Sequence, residues 1–560
     1  MKNRLLAILL MVACSLLGQA QLRLNGKDII RDDRTGQWLC TVPDSVFGTD
    51  YEAQVTVLPE SGWTDIKVDS AFVANGQSVW FPSLDGITAH QLSANVGDST
   101  VSGTLLFSCL PLLEVNATIS ETYHSATFVL HHPDSVAAMP LQGRFKLRGQ
   151  TTMMAGRHKH NFHIKLEDEH GEKQNKKLLG MRDDNSWLLD GGQTDLSRIR
   201  NHVAHELWLA MAAKPYYADR EPKARSACRG ELIELFINGQ YEGIYTLMEA
   251  MDRKQLKLAK YETDSTGVTT LHGQLWKAID YTKGTTFSGV KAYDNNKDEW
   301  FGFETKYPEL DEVSPTDYSV LYEAVNFAHS AYDNKWRREA ADYYDLPVMR
   351  DYTILAQTLL AIDNSNKNIY WAVYDRQEDK KLTLAVWDLD CTVGQDWTNT
   401  PFRPESRVGP ERVYKIGNNL FGRLNLLING FHEDMVTRYQ ELRKGILHTD
   451  SITQLYLSHI DQLIDAGAAA RESARWDGDD DLGGNNLDWE AEKAYIADWL
   501  QRRLRFLDVN TFAPAGIDII ADDNAPASSG TYNLLGQRMP DDRPLPPGFY
   551  VRNGKKMIKK

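Results

Sequence analysis

The chain has 560 residues, of which 42% are hydrophobic and 25% are charged, a composition that excludes disordered and collagen-like proteins. Its formal net charge of −15 argues against nucleic-acid binding, because a polyanion is held by clustered Lys and Arg. The length predicts several domains, at about 100–200 residues each.

Residues 1–20 are typical of a secretory signal peptide. Lys2 and Arg4 precede an apolar run from Leu5 to Leu17, and Ala20 offers a small residue before the cut. The run is shorter than the roughly 20 residues that span a bilayer, so we expect no transmembrane segment. The sequence predicts an exported protein that is periplasmic, on the cell surface or extracellular, or a lipoprotein if Cys14 is acylated.

Residues 21–112 alternate between apolar and polar side chains in short runs such as Tyr51–Leu58. This period of two predicts a small antiparallel β domain. Cys40 and Cys109 could form a disulfide in an oxidising compartment or remain buried thiols. Three tryptophans could stack on carbohydrate or fill a core: Trp38, Trp63 and Trp80.

The next part of the chain mixes strands with one clear helix. A helical period of apolar residues covers Leu196–Ala212. Asn238-Gly239 is typical of a tight hairpin. Strands are predicted on both sides of the helix, at Val115–Leu130, Arg144–Leu166, Glu231–Ile237 and Gly243–Met248. This order predicts a mixed α+β domain that begins at residue 113.

A further helix is predicted from Pro347 to Ile362, with Asp363 at its C-terminal end. Two strands follow, at Ile369–Tyr374 and Leu382–Trp387, and the pattern over residues 419–507 is helical. An acidic segment in the helical region has partial calcium-loop spacing, but Leu482 takes the place of the required Gly. We therefore expect a solvated loop with these carboxylates: Asp477, Asp479, Asp481 and Asp488.

The end of the chain differs in composition from the rest. Residues 511–530 are rich in Ala, Pro, Asp and Ser and predict a linker. Residues 531–560 predict a short β segment that resembles the C-terminal sorting segment of exported Bacteroidetes proteins. Such a segment would engage outer-membrane or secretion machinery. The alternative is a small β attachment without a sorting role.

Two acidic patterns in residues 363–390 point to phosphoryl transfer. Asp363 precedes Asn368 by five positions, the spacing by which a protein-kinase catalytic loop offers a base and a metal ligand. Asp388 and Asp390 end the next strand but one, and alternate strand positions would point both carboxylates to one face. Oxygen ligands of this kind suit Mg²⁺ or Mn²⁺. The conventional Gly-rich loop and Ala-x-Lys strand are missing, so any kinase here is atypical.

These residues stand in a longer series that resembles the CotH family of atypical protein kinases. The resemblance covers about 400 residues and leaves the two flanking regions outside. His160 and Phe162 depart from the family's Lys and Tyr. The matching segments, in chain order, are Arg148–Thr152, Lys159–Leu166, Leu178–Gly180, Trp187, Asp195–Asn201, Asn238–Tyr245, Glu249, Asp363–Asn368 and Trp387–Asp390 with Gly394.

The resemblance implies a two-lobed kinase-like domain, with an N-lobe at 113–255 and a C-lobe at 256–510. It implies ATP and Mg²⁺ or Mn²⁺ as cofactors and Ser residues of a partner protein as acceptors. Asp363 would be the base or acceptor-orienting carboxylate. Asn368, Asp388 and Asp390 would be the metal ligands.

The resemblance also implies which residues bind the nucleotide. Lys165 would position the phosphates, with Arg148 and Arg200 as helpers, and Lys159 is the alternative if the strand register differs. Glu249 would either pair with the lysine or mark the segment between the lobes beneath the adenine.

Two other functions stay open at this stage. The chain could be a non-catalytic surface or scaffold protein that uses its N-terminal β domain to bind glycans or a partner. It could also be a nucleotidyl or other phosphoryl transferase with the same metal centre, because the carboxylates specify metal and phosphate and not the acceptor.

Overall fold

A computed structural model describes residues 21–401, 403–406 and 418–513, and four short strands between residues 531 and 559. The described residues up to Phe512 form one compact unit, and the later strands belong to a second. The predicted signal peptide, Cys14 and most of the predicted linker lie outside the described residues. In the described part of the chain, no helix combines the length and the apolar character needed to cross a membrane.

Residues 22–108 form a nine-stranded sheet in the order β6-β5-β8-β9-β3-β2-β1-β4-β7. Neighbouring strands are antiparallel, except that β3 and β9 are parallel. The strands are β1 (Leu22–Leu24), β2 (Lys27–Arg31), β3 (Trp38–Thr41), β4 (Tyr51–Val57), β5 (Trp63–Val68), β6 (Ala71–Phe72), β7 (Ser78–Phe81), β8 (His90–Val96) and β9 (Ser99–Ser108). Short 3₁₀ turns cover Asp44–Val46 and Pro59–Ser61.

Two of the three tryptophans in this region fill its core, as one of the two sequence interpretations proposed. Trp38 and Trp63 are buried in one apolar cluster, with ring centroids 5.8 Å apart. Trp80 is 63% exposed and is outside that cluster. Cys40 and Cys109 are free thiols, so the possible disulfide between them is absent.

A closed seven-stranded barrel follows, in the order β10-β11-β12-β13-β16-β18-β17. All its pairs are antiparallel except β10 with β17. The barrel strands are β10 (Leu112–Ala117), β11 (His124–His131), β12 (Met139–Arg148), β13 (Asn161–Leu166), β16 (Ser186–Asp190), β17 (Gly230–Ile237) and β18 (Gln240–Glu249), with a side hairpin of β14 (Lys176–Lys177) and β15 (Asp183–Asp184). Alternate residues of these strands fill the interior with an apolar core.

Helix α1 (Arg200–Met211) lies between β16 and β17 in the chain. The predicted helix began four residues earlier, and this start is wrong. Arg198 has a left-handed φ of 62°, which stops the helix from continuing towards the N-terminus. The predicted hairpin is present, with positive φ at both Asn238 and Gly239.

The rest of the compact unit combines a five-stranded antiparallel sheet with helices. The sheet has the order β22-β23-β21-β24-β25, and a separate hairpin joins β19 to β20. These strands are β19 (Glu262–Thr263), β20 (Thr269–Thr270), β21 (Gln274–Ala278), β22 (Glu299–Trp300), β23 (Phe303–Tyr307), β24 (Ile369–Val373) and β25 (Thr383–Val386). The helices are α2 (Arg253–Leu256), α3 (Ser319–Ser330), α4 (Asp333–Tyr343), α5 (Leu346–Leu359), α6 (Asn419–Leu427), α7 (Phe431–Arg443), α8 (Thr449–Asp465), α9 (Ala468–Trp476) and α10 (Trp489–Asn510).

An apolar cluster joins the outer face of the barrel to the five-stranded sheet. Leu188 and Met248 of the barrel belong to the same buried cluster as Tyr370 and Trp387 of the sheet side. A larger cluster packs α1 against the helices α3 to α10 and the other face of the sheet. The compact unit is therefore a mixed α+β structure in which barrel and sheet meet through buried apolar side chains.

The second unit contains four strands in the order β27-β26-β28-β29. They are β26 (Thr531–Asn533), β27 (Arg538–Met539), β28 (Gly548–Arg552) and β29 (Lys555–Lys559). The β character predicted for residues 531–560 is thus present in these strands.

Candidate active site

Asp363 and Asn368 meet in the loop that follows α5. Leu360 ends the helix with a left-handed φ of 50°, and the chain turns from there into the loop. Asn368 Nδ2 donates to Asp363 Oδ2 over 2.9 Å, and Lys367 Nζ lies 3.5 Å from the same oxygen. The Tyr281 hydroxyl donates to Asp363 Oδ1. The Asp363 carboxylate is therefore held in one orientation by three side chains.

Asp388 and Asp390 lie in a loop and not at alternate positions of a strand. Strand β25 ends at Val386, and Asp388 has a left-handed φ of 55°. The strand argument for their common direction is therefore wrong. Burial raises the pKa of both carboxyls, and the negative charge of Asp363 adds to the rise in each. At Asp390 the charges of Asp388 and Asp190 raise the pKa further, whereas at Asp388 the charge of Lys277 lowers it. The loop still brings the acidic groups close enough to interact.

Amide side chains tie this loop to its surroundings. Asn364 Nδ2 donates to the Trp387 carbonyl over 2.9 Å, which joins the Asp363 loop to the Asp388 loop. Asn201 Oδ1 accepts from the Leu389 amide over 2.9 Å, and Asn201 Nδ2 donates to Asp190 Oδ2 over 2.6 Å. Asn201 therefore connects the Asp388 loop to the end of β16.

Asp190 joins Asp363, Asp388 and Asp390 in one acidic cluster, and sequence reasoning missed this fourth member. Burial raises the pKa of Asp190, and the charge of Asp388 adds to the rise against the hydrogen bond from Asn201. Asp190 ends the apolar strand β16 directly before Gly191-Gly192. An acidic residue directly after an apolar run, a pattern that the sequence also has at Asp388, was the signal that could have found it.

Two cations from different elements face the acidic cluster. Lys277 of β21 lies over the Trp387 ring at 5.7 Å, and Arg148 at the end of β12 lies over the same ring at 5.2 Å. The positive charges of both act on Asp388. Burial lowers the pKa of Lys277 to about 8, although Asp388 opposes the change. Sequence reasoning missed Lys277, whose signal is a lone lysine in the apolar run Leu275–Ile279.

Lys165 lies on the same outer face of the barrel as Arg148 but away from the acidic cluster. Arg148 of β12 lies opposite Asn161 of β13 in the barrel. Asn161 Oδ1 accepts from the Gly191 amide over 2.7 Å, directly after Asp190, so this end of β13 is at the acidic cluster. Lys165 is four residues further along β13, which is about 13 Å of strand. Its ammonium lies over the Tyr123 ring at 5.0 Å. Of the predicted phosphate contacts on the barrel, the structure brings Arg148 to the cluster and not Lys165.

Arg200 and Lys159 are enclosed by protein groups. Arg200 is 1% exposed, and its guanidinium pairs with Asp195 and Glu492 and donates to the Thr392 carbonyl. It thus holds the segment after Asp390 and has no accessible face for a phosphate. Lys159 is also 1% exposed, and its Nζ lies 2.6 Å from Glu472 Oε1.

Glu249 pairs with an arginine and not with a lysine. Its carboxylate lies 2.7 Å from Arg229 Nη2 and accepts hydrogen bonds from the Arg182 amide and Gln255 Nε2, both over 2.9 Å. Burial opposes ionisation, but these bonds hold the pKa of Glu249 below its usual value. Glu249 ends β18, where the chain leaves the barrel, so the lysine-pair alternative is wrong.

The acidic segment at 477–488 is built into the structure. Asp481 is 2% exposed and accepts from the backbone amides of His158 and Lys159 over 2.9 and 2.8 Å. Asp479 and Asp488 cap the turn Asp480–Leu482 and α10. The expectation of a solvated loop is therefore wrong for Asp481, which fastens the segment before β13.

The acidic cluster offers the hard oxygen ligands that Mg²⁺ and Mn²⁺ take. Asn364 Oδ1 is buried at this site and has no hydrogen-bond partner among the described residues. Within the described chain, the only three His, Cys, Asp or Glu groups with ligand atoms all within 4.8 Å lie elsewhere, on α1 and α8. Mg²⁺ characteristically uses one or two carboxylates plus substrate phosphates and water, so a magnesium site does not require three such groups together.

The residues of this site lie in a segment that matches a known protein family. The family model described as CotH kinase protein matches residues 145–507, more than half of the chain. The match includes Arg148, Asp190, Lys277 and the loops that carry Asp363 and Asp388. No curated protein sequence matches the chain.

Proposed function

Because the chain belongs to the CotH kinase protein family, we propose that it is an atypical kinase that transfers the γ-phosphate of ATP to a Ser or Thr hydroxyl of a partner protein. The observation that carries the proposal is the meeting of Asp363, Asp388 and Asp390 with Arg148 and Lys277. Phosphoryl transfer is achieved by positioning and charge stabilisation, and this cluster supplies an acceptor-side carboxylate, metal-type oxygens and cations.

Asp363 is the group we assign to the acceptor. Tyr281 and Asn368 fix the carboxylate, and an acceptor hydroxyl in the position of the Tyr281 hydroxyl would donate to Oδ1. In that role Asp363 orients the hydroxyl and takes its proton as the phosphoryl group arrives.

Asp388, Asp390 and Asn368 would hold Mg²⁺ or Mn²⁺. Asn368 uses its Nδ2 to bind Asp363, which leaves Oδ1 as the atom for a metal. When bound, the ion neutralises charge on the phosphates and orients the group to be transferred. Asp190 and Asn201 position the Asp388 loop from the barrel side.

Arg148 and Lys277 are the cations we assign to the phosphates. They lie on the barrel and on the five-stranded sheet, so the nucleotide would occupy the junction between the two. In this proposal the barrel acts as the N-lobe and the sheet with its helices as the C-lobe. Lys165, on the same barrel face, would contact the outer part of the junction.

The remaining parts of the proposal concern location and partners. Residues 1–20 support export, with the periplasm, the cell surface or the medium as the destination. The β segment at 531–560 is proposed to engage secretion or outer-membrane machinery. The acceptor is a protein in the same compartment.

The test is phosphoryl transfer by the purified protein. The protein is incubated with ATP and Mg²⁺ or Mn²⁺ and candidate acceptors, and intact masses are measured. We expect the mass of one or more phosphoryl groups to be added, and we expect Asp363→Asn and Asp388→Asn to abolish the addition. Asp342→Asn, on an exposed part of α4, is the matched control and should keep full activity.

Other outcomes of this experiment contradict the proposal in distinguishable ways. Addition of AMP would replace the kinase by a nucleotidyl transferase. Absence of ATP binding by calorimetry in the folded protein would favour the non-catalytic scaffold. Equal transfer by the Asp388→Asn variant and the native protein would remove the acidic cluster from the mechanism.

A further inference from the structure

Three potential metal ligands meet on the helical side of the molecule, outside the acidic cluster. His202 and Glu206 are four residues apart on α1 and therefore lie one above the other on the same helix face. His459 comes from α8. One ligand atom from each of the three residues lies within 4.8 Å of the other two.

The contacts among the three side chains are already partly formed. His459 Nε2 lies 2.9 Å from Glu206 Oε2. The rings of His202 and His459 are 4.7 Å apart in an edge-to-face arrangement. In the described part of the chain, neither ring nitrogen of His202 hydrogen-bonds to another residue. The contact between His459 and Glu206 therefore gives each of these two side chains a polar partner. Among the described residues it leaves the imidazole nitrogens of His202 without a hydrogen bond.

Two imidazoles and a carboxylate form the ligand set of a zinc site with an open fourth position. Zinc–nitrogen and zinc–oxygen bonds of about 2.0–2.2 Å in a tetrahedron place ligand atoms about 3.3 Å apart. Atoms that now lie within 4.8 Å would each move by about 1.5 Å or less. Side-chain rotation supplies such a movement without any change in the helices. The contact between His459 and Glu206 would be replaced by bonds from both side chains to the metal.

We propose that His202, Glu206 and His459 bind a divalent transition-metal ion of the zinc class, with water as the fourth ligand.

The surroundings suit the entry and retention of a cation. The side chains of Glu206 and His459 are 47% and 20% exposed, so an ion reaches the site from solvent. Glu231 of β17 is near enough for the charges of Glu206 and His459 to act on its carboxyl, and it adds negative charge beside the site. Gly230 lies against His202, where a Cβ would stand 3.3 Å from Nδ1, and so leaves room for the ring to turn.

A bound ion would join α1 to α8 next to the acidic cluster. Asn201, which holds Asp190 and the Leu389 amide, directly precedes His202. The ion would therefore fix the helix that positions the Asp388 loop. This inference does not depend on kinase activity, because it rests on ligand geometry alone.

The experiment measures zinc binding by the whole protein, prepared without a polyhistidine tag and freed of metal with a chelator. Zn²⁺ is titrated by calorimetry in excess Mg²⁺, which keeps the acidic cluster occupied. We expect one equivalent of tight binding. We expect His202→Ala and His459→Ala to weaken it by 100-fold or more and Glu206→Gln by at least tenfold, on the order of losses measured for metal-site partners. His170→Ala removes an exposed histidine that is not one of the three ligands and is the control.

Cobalt gives a second readout in the same variants. Co²⁺ in place of Zn²⁺ should produce visible absorption bands of a four-coordinate site, and these should vanish in His459→Ala. Circular dichroism shows whether each variant is folded, and Glu206→Gln, at an exposed position, keeps the test valid if a histidine variant unfolds. Absence of a stoichiometric zinc site, or equal affinity in the ligand variants and the His170→Ala control, would overturn the proposal.

Discussion

Lys277 gives the most quantitative test of the proposed nucleotide site. Burial lowers the pKa of its ammonium to about 8, from its ordinary value of 10.5. The group is therefore about 90% charged at pH 7, half charged near pH 8 and about 10% charged at pH 9. If the charged form binds the phosphates, affinity is full below pH 8 and falls as pH rises through that value.

The expected size of the effect follows from proton linkage. Above the pKa, loss of one required proton weakens binding by about tenfold for each pH unit. The native protein should therefore lose about fivefold in ATP affinity between pH 8 and pH 9, where the charged fraction falls from one half to about 10%. Lys277→Arg keeps its charge over this range and should show no such loss, whereas Lys277→Met should bind weakly at every pH.

The measurement is ATP binding by calorimetry from pH 6.5 to 9.5 in the presence of a chelator, so that metal binding does not contribute. Circular dichroism at each pH confirms that the variants remain folded. The same fall in affinity in Lys277→Arg and in the native protein would refute the assignment, because another group would then be titrating. Native affinity in Lys277→Met would refute it as well.

Three further predictions concern buried groups. Glu472→Ala removes the buried carboxylate that pairs with both Lys159 and Arg198 and should lower the free energy of unfolding in urea by about 3–5 kcal/mol. Lys380→Ala, which breaks an exposed pair, should change it little. Cys40 and Cys109 should resist alkylation at pH 8 until the protein unfolds, because burial raises the pKa of each thiol to about 12; rapid labelling or a disulfide seen by mass spectrometry would contradict this. Asn201→Ala should reduce the transfer rate about tenfold or more with the fold retained, and an unchanged kcat would show that it does not position the Asp388 loop.

The sequence predicted element types well and element ends less well. Alternation of apolar residues found the strands around Asn238-Gly239, where the turn chemistry also fixes the hairpin. It could not show that seven strands close into a barrel, because closure depends on the parallel pairing of β10 with β17 across more than 100 residues. The start of α1 was missed since the left-handed conformation of Arg198 comes from its buried contacts with Glu472 and nearby carbonyls.

In the site, as in the fold, the sequence predicted local contacts and missed contacts that depend on tertiary structure. Asp363 and Asn368 are close in sequence, and their contact follows from local spacing. The cations depend on tertiary structure. Lys159, Lys165 and Arg200 look alike in the sequence as basic residues near a strand or helix, but burial with acidic partners encloses Lys159 and Arg200, and four residues of strand separate Lys165 from the acidic end.

The charge balance at Asp388 shows why the barrel and the sheet must pack together for the site to exist. Asp388 is acted on by three cations, Lys277 from the sheet, Arg148 from the barrel and Lys367 from the Asp363 loop. Trp387 belongs to the apolar cluster that joins barrel and sheet, and both Arg148 and Lys277 lie over its ring. Separation of the barrel from the sheet would take Arg148 and Asp190 away while Asp388 and Asp390 remained. The apolar contact between the two β structures therefore sets the charge of the site.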